Sequence, residues 1–162
     1  MILCIDIGNT NSRCALGTSE NYRVVSAETN DFSNVASFTA FLKKHFADDI
    51  PRIKGCILSS VVPQRKADAI QALQMFNVKC VDMAHMGVDF SHYKTALGED
   101  RAVCSAAAVH KYGAPVIVID FGTATTINAI NESSIFMGGA ILAGVQTGID
   151  ALARDTARHR GG

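Results

Sequence analysis

Ile2-Leu3-Cys4-Ile5-Asp6-Ile7-Gly8-Asn9-Thr10-Asn11-Ser12-Arg13 opens the chain. Val116-Ile117-Val118-Ile119-Asp120-Phe121-Gly122-Thr123-Ala124-Thr125-Thr126 repeats its plan, with Asp120 standing 114 positions after Asp6. Each is an apolar run halted by an acid and a glycine one residue apart, then by small hydroxyl or amide side chains. Runs of this length suit strands, and the polar cluster suits the turn that ends one. After the first turn, Ser12 to Gly17 and Tyr22 to Thr29 read as two more strands; after the second, Thr123 to Ile130 and Ser134 to Leu142 do the same. A helix follows each set. The repeat predicts an internal duplication into two related lobes, the second ending at its first helix, Val145 to Arg158, and therefore incomplete.

Between the repeats, Ser33 is expected to cap a helix in which Val35, Phe38, Phe41, Leu42 and Phe46 recur at helical spacing before Pro51 stops the pattern. Ile53 to Val62 is a continuous apolar run suited to a buried strand. Pro63 starts a helix carrying Ala67, Ile70, Leu73 and Met75, and Val78 to Val81 closes the unit as a strand. The order βββαβαβ predicts an α/β fold with a mixed sheet, since a strand-helix-strand connection makes a parallel pair. Asp82 to Glu99 reads as a polar connection and Ala102 to Tyr112 as a helix broken by Gly113 and Pro115. The first lobe then covers 1–97, and 98–162 holds the inter-lobe helix and the second lobe.

The chain has 162 residues, 48% of them hydrophobic, with 15 Lys and Arg against 15 Asp and Glu. This balance excludes a strongly basic nucleic-acid binder and an acidic solvating tail. A chain of this size buries roughly 70% of the surface it exposes unfolded, so its core needs neither disulfides nor structural zinc. The five cysteines, Cys4, Cys14, Cys56, Cys80 and Cys104, are odd in number and lack metal spacing, which fits packed small hydrophobes in a reduced cytoplasm. His45, His85, His92, His110 and His159 show no metal spacing either. No apolar stretch is long enough to span a membrane, and no basic segment precedes the first strand. Neither a membrane nor nucleic acid is expected as a partner.

Three constellations can carry chemistry. In the first, a carboxylate at a strand end, Asp6, precedes Ile7, Gly8, Asn9, Thr10, Asn11, Ser12 and Arg13. Such a turn can offer N–H donors to a phosphate while the acid holds Mg2+ directly or through water, and it can equally be hairpin chemistry. In the second, Asp120, Gly122, Thr123 and Thr125 repeat the logic, and two such loops on related lobes can grip one polyphosphate. The third is Gly98-Glu99-Asp100-Arg101. Its acids either compensate a helix N-terminus or supply a general base beside an Arg that holds an anionic substrate.

These pieces, with Ser60-Val61-Val62-Pro63, Gly138-Gly139-Ala140-Ile141, Gly144, Ala151-Leu152 and Thr156-Ala157, occur in one order that resembles type III pantothenate kinase, the Bvg accessory factor family. The resemblance runs from residue 1 to about 158. It implies duplicated ribonuclease H-like lobes of the acetate and sugar kinase, heat-shock 70 and actin superfamily. It also implies ATP-dependent phosphorylation of pantothenate, the first step of coenzyme A synthesis, with Mg2+ and a monovalent cation, K+ or NH4+.

By the same resemblance, Asp6 to Arg13 match the first phosphate loop, Asp100 the catalytic base, and Gly98, Glu99, Asp100 and Arg101 the pantothenate-binding segment. Tyr93 corresponds to the aromatic wall of that pocket, Asp120 to the K+ ligand and Thr123 to an ATP contact. The chain departs from the family pattern at Arg13, where Lys is usual, and at Ala143, where Pro precedes Gly144. Family members also continue beyond the last helix with an adenine-binding glycine motif. A homodimer through the second lobe and weak ATP binding by this chain alone are therefore expected. A non-catalytic accessory relative and a phosphatase of the same superfamily are the alternatives.

Overall fold

Leu3, Ile5 and Ile7 are buried along one side of β1 (Ile2–Ile7), while Ile2, Cys4 and Asp6 alternate onto the exposed side. The period of two makes this strand the floor of a core and leaves its acid facing out. β1 pairs antiparallel with β2 (Asn11–Gly17), and β2 with β3 (Tyr22–Glu28). The chain then crosses over through α1 (Val35–Phe46), so that β4 (Gly55–Ser60) lies parallel on the other edge of β1. The order β3-β2-β1-β4 is the mixed sheet that the sequence predicts. The computed structural model describes residues 1–80, 87–93 and 96–158.

Phe38, Leu42 and Phe46 recur every four residues on α1 and are buried against this sheet's core. Phe32 meets Phe38 and Phe41 with ring centroids 5.1 and 4.7 Å apart. The helix is capped by Asn34, not Ser33. Asn34 Oδ1 accepts the Ser37 N–H at 3.0 Å, and Ser37 Oγ accepts the Asn34 N–H at 3.1 Å. This reciprocal pair needs a polar residue three positions after the cap, which Asn34 has in Ser37 and Ser33 lacks at Ala36. α2 (Pro63–Met75) begins on proline and buries the small residues Ala69 and Ala72 with Leu73.

The strand expected at Val78 to Val81 is reduced, among the described residues, to a single parallel bridge between Cys80 and Cys56. Asn77, at φ 57°, and Val78 close the end of α2 instead, and the Val78 N–H donates to Leu73 O at 3.0 Å. The next two residues do meet β4, where the Cys56 N–H donates to Lys79 O at 2.9 Å. Val81 lies outside the described residues, as do His85 and His159.

Further along, α3 (Glu99–Tyr112) starts three residues before the expected Ala102, since Glu99 and Asp100 suit the positive end of a helix. β5 (Val116–Phe121), β6 (Ala124–Ile130) and β7 (Phe136–Ala143) form an antiparallel sheet in that order, which Asp89 joins by one parallel bridge to Ile135. α4 (Val145–Arg158) follows. Ile130 and Phe136 are buried, whereas Ile117, Ile119 and Phe121 of β5, Ile141 and Leu142 of β7, and Val145, Ile149 and Leu152 of α4 are exposed.

The chain divides into two compact units. The first holds the described residues up to Cys80 together with Gly98–Asp100; the second holds Gly87 to Leu97 and the residues from Arg101 onward. The sequence predicts one boundary, at 97/98. All five cysteines are free, with Cys14 and Cys56 buried, Cys104 half-buried and Cys4 and Cys80 exposed. Packing as small hydrophobes thus describes Cys14 and Cys56. Among the described residues no helix is long and apolar enough to cross a membrane.

Candidate active site

Within the first unit, β1 and β4 run parallel, so their carboxyl ends lie side by side, the usual place for a ligand in such sheets. The turn after β1 is tightened by the Gly8 N–H, which donates to Asn11 O at 3.1 Å. A β-carbon on Gly8 would sit 2.7 Å from that same oxygen, so the close approach requires glycine. Thr29, buried just past β3, buttresses the turn: its hydroxyl donates to Gly8 O at 2.8 Å and lies 2.8 Å from the buried Ser12 hydroxyl. Asn9, Thr10, Asn11 and Arg13 are exposed. Asp6 pairs in register with Arg13 on one side and Ser59 on the other, so the three share one face of the sheet. Ser59 is 4% exposed, and its hydroxyl has no hydrogen-bond partner among the described residues.

The turn after β4 ties this loop to the third constellation. The Val61 N–H donates to Ile7 O at 3.1 Å, and the neighbouring Ser60 N–H donates to Glu99 Oε2 at 3.1 Å. Ser60 Oγ accepts the Val62 N–H at 3.0 Å and so holds the turn's shape. Glu99 Oε1 takes an ion pair from Lys66 on α2. Asp100 is half-buried, and its carboxylate lies over Gly98, where a β-carbon would come 2.5 Å from Oδ1. The Asp6 loop, the Ser60–Pro63 turn and Gly98–Asp100 are therefore one assembly in one unit.

In the second unit Arg101 is 7% exposed. Its Nε donates to Asn128 Oδ1 at 2.7 Å, and its guanidinium lies 5.7 Å from the centroid of the Phe136 ring. Tyr93 meets Phe136 edge to face at 5.1 Å. Asn128 itself is fully buried on β6. The second turn is cradled by the start of α4, where the Gly144 N–H and the Thr147 hydroxyl each donate to Thr123 O at 3.0 Å. A β-carbon on Gly144 would lie 2.1 Å from Gly122 O, which accounts for that glycine. Asp120 is exposed at the end of β5, and Thr125 is 8% exposed.

Ser59, Lys66, Asn128 and Thr147 are residues of these two sites that the sequence motifs do not single out. Ser59 was legible in principle, as a hydroxyl in an apolar run beside Ser60. The other three become visible only through contacts distant in sequence.

Mixed strand order, the α1 crossover and acid-glycine turns at strand ends define the ribonuclease H-like lobe of the actin-like ATPase fold. Two solved structures share it: an ethanolamine utilization protein EutJ from Carboxydothermus hydrogenoformans (TM-score 0.50, 11% identity, 96% of this chain and 56% of that one) and the type II variant of the Aquifex aeolicus Ppx/GppA phosphatase (TM-score 0.50, 12% identity, 93% and 55%). At such identities the likeness concerns fold alone. The narrower assignment comes from sequence: residues 2–160 match the family model of type III pantothenate kinase, and the chain belongs to that family.

Proteins named type III pantothenate kinase are similar to it in Listeria monocytogenes (35% identity over 166 residues), Geobacillus kaustophilus (32% over 161) and Thermus thermophilus (34% over 170). The alignments cover 94%, 94% and 98% of this chain. The chain spans 62% of the length of the first two relatives and 66% of the third.

Proposed function

We propose that this chain carries out its family's reaction, the ATP-dependent phosphorylation of pantothenate to 4'-phosphopantothenate, the first step of coenzyme A synthesis. The observation that carries the reading is the tie between the Asp6 loop and Gly98–Asp100 through adjacent amides of one turn, Ser60 and Val61. A phosphate-binding turn and a carboxylate are thereby held in one assembly. Phosphoryl transfer needs little more than positioning, charge neutralisation and a carboxylate near the attacking hydroxyl.

In this reading Asp100 accepts the proton of the pantothenate hydroxyl as its oxygen bonds to the γ-phosphorus and ADP leaves. Gly98, Glu99, Asp100 and Arg101 form the pantothenate segment with Tyr93, Arg101 serving the carboxylate of the substrate. The backbone of Ile7 to Ser12 and the guanidinium of Arg13 are assigned to the ATP phosphates, and Gly122, Thr123 and Thr125 of the second unit are likewise assigned to ATP. Asp6 and the unpartnered Ser59 hydroxyl are hard oxygen donors of the kind Mg2+ takes. No group of three or more His, Cys, Asp or Glu among the described residues is arranged to hold a metal. That fits an ion held by one carboxylate and the substrate's phosphates, whose charge it would neutralise. Asp120 is assigned to K+ or NH4+. The exposed apolar residues of β7 and α4 support a homodimer, and the free cysteines support a reduced, cytoplasmic setting.

The test is ADP release from Mg-ATP with and without pantothenate and K+, with phosphopantothenate identified by mass spectrometry. Pantothenate-dependent ADP and product are expected. ATP binding without product would point to an accessory relative, and phosphate release independent of pantothenate to a phosphatase. Light scattering at twice the chain mass is expected for the dimer.

A further inference from the structure

Glu99 stands between Gly98 and Asp100, and its carboxylate is engaged on both oxygens by protein donors. Oε2 accepts the Ser60 N–H at 3.1 Å, and Oε1 meets the Lys66 ammonium. The two donors come from separate elements, the end of β4 and the second turn of α2, so together they fix both the position and the rotation of the carboxylate. The Ser60 donor is itself held, because its side chain accepts the Val62 N–H and the next amide, Val61, donates to Ile7 O. Lys66 is anchored as well, its N–H donating to Val62 O at 3.0 Å at the start of α2. The Asp100 carboxylate lies over Gly98, where a β-carbon would come 2.5 Å from its Oδ1 and 3.9 Å from Val61 Cγ1.

We propose that Lys66 is a positioning residue for Asp100: acting through Glu99, it clamps the first turn of α3 to the Ser60–Pro63 turn and so sets where the proton-accepting carboxylate stands. The inference rests on the reading of Asp100 as proton acceptor. It separates the roles of two adjacent acids of the pantothenate segment, since the carboxylate of Glu99 is held by protein donors while that of Asp100 serves the chemistry. The pair is about one-third exposed on each side chain, and an exposed ion pair contributes little to stability. Its effect therefore belongs to geometry, where a displacement of about 1 Å costs on the order of a hundredfold in rate.

The experiment compares Lys66→Ala, Lys66→Arg, Glu99→Ala and the Lys66→Ala/Glu99→Ala double variant by pantothenate-dependent ADP release. Amide exchange at Ser60 is followed by NMR in the same proteins. Each Ala variant should lose about ten- to a hundredfold in kcat with the KM for ATP unchanged. The double variant should lose no more than the larger single loss, and Lys66→Arg should recover most of the rate. Ser60 exchange should quicken in Lys66→Ala while that of Cys56, whose N–H donates to Lys79 O, stays as in the parent. Parental kcat in both single variants, with Asp100→Asn inactive, would overturn the positioning role and leave the proposed reaction standing. A parent with no pantothenate-dependent turnover would overturn the reading beneath it. Unchanged Ser60 exchange would overturn the clamp itself.

Discussion

The carboxylate of Asp100 lies over Gly98 so closely that a β-carbon there would stand 2.5 Å from Oδ1. The obstructing atom is the end of a side chain that can swing aside, and Gly98 does not have the positive φ that only glycine accepts readily. Gly98→Ala should therefore fold nearly as well as the parent and lose about ten- to a hundredfold in kcat, because the carboxylate is what moves. Thermal unfolding and steady-state kinetics on the same preparation check this; a rate equal to the parent's would contradict it.

Asp100→Asn removes the proton acceptor while keeping the shape of the side chain. Turnover should fall by about 100- to 10,000-fold, with ATP affinity close to the parent's. Calorimetry with Mg-ATP, run beside the turnover assay, separates the two effects.

Asp6→Asn and Asp120→Asn should act on cations and nucleotide, since both carboxylates are exposed at strand ends beside glycine-containing turns. The Mg2+ concentration giving half-maximal rate should rise in Asp6→Asn and that of K+ in Asp120→Asn, with the KM for pantothenate little changed. A selective loss of pantothenate affinity in either variant would contradict the assignment.

Two glycines of the second unit should respond to alanine with opposite signs. A β-carbon on Gly139 would lie 1.8 Å from Ile127 O, a backbone atom of the paired strand, so Gly139→Ala should destabilise by about 1–3 kcal/mol or more. Gly148 sits within α4 with nothing within 4 Å of its missing β-carbon, and Gly148→Ala should stabilise by about 1 kcal/mol through helix propensity. Urea unfolding of both variants reads the difference directly.

Burial pushes the Cys14 thiol up to about 12 and raises that of Cys56 still further. With an aromatic disulfide reagent at pH 8, exposed Cys4 and Cys80 should react in the folded protein, and Cys14 and Cys56 only after unfolding. The same burial sets a pH dependence. Above about pH 9 the unfolded chain releases these thiol protons while the folded chain keeps them, so stability falls as pH rises towards 12. Denaturation midpoints across that window should decrease, and replacing Cys14 by Ala should flatten the decline.

The strands, the helices and the two acid-glycine turns were legible in the sequence because their signals are local. Leu3, Ile5 and Ile7 alternate along one strand, Phe38, Leu42 and Phe46 recur along one helix, and Gly8 and Gly122 sit where a chain must turn. The ordered motifs resemble the family, and that resemblance implies the lobe type. What tertiary structure decided are the partners of the charged side chains. Glu99 stands beside Asp100 in the sequence but is taken by Lys66, 33 positions away, and by a strand-end amide; Arg101 is taken by Asn128, 27 positions on. Such pairings arise only after β4 and α2, or β6, have been placed, since a side chain's partner is whatever the topology brings within about 3 Å and no periodicity encodes it. The strand expected from Val78 to Val81 is a matching case at its first residue, for the Val78 N–H closes the end of α2 on Leu73 O, while Lys79 O and Cys80 meet Cys56.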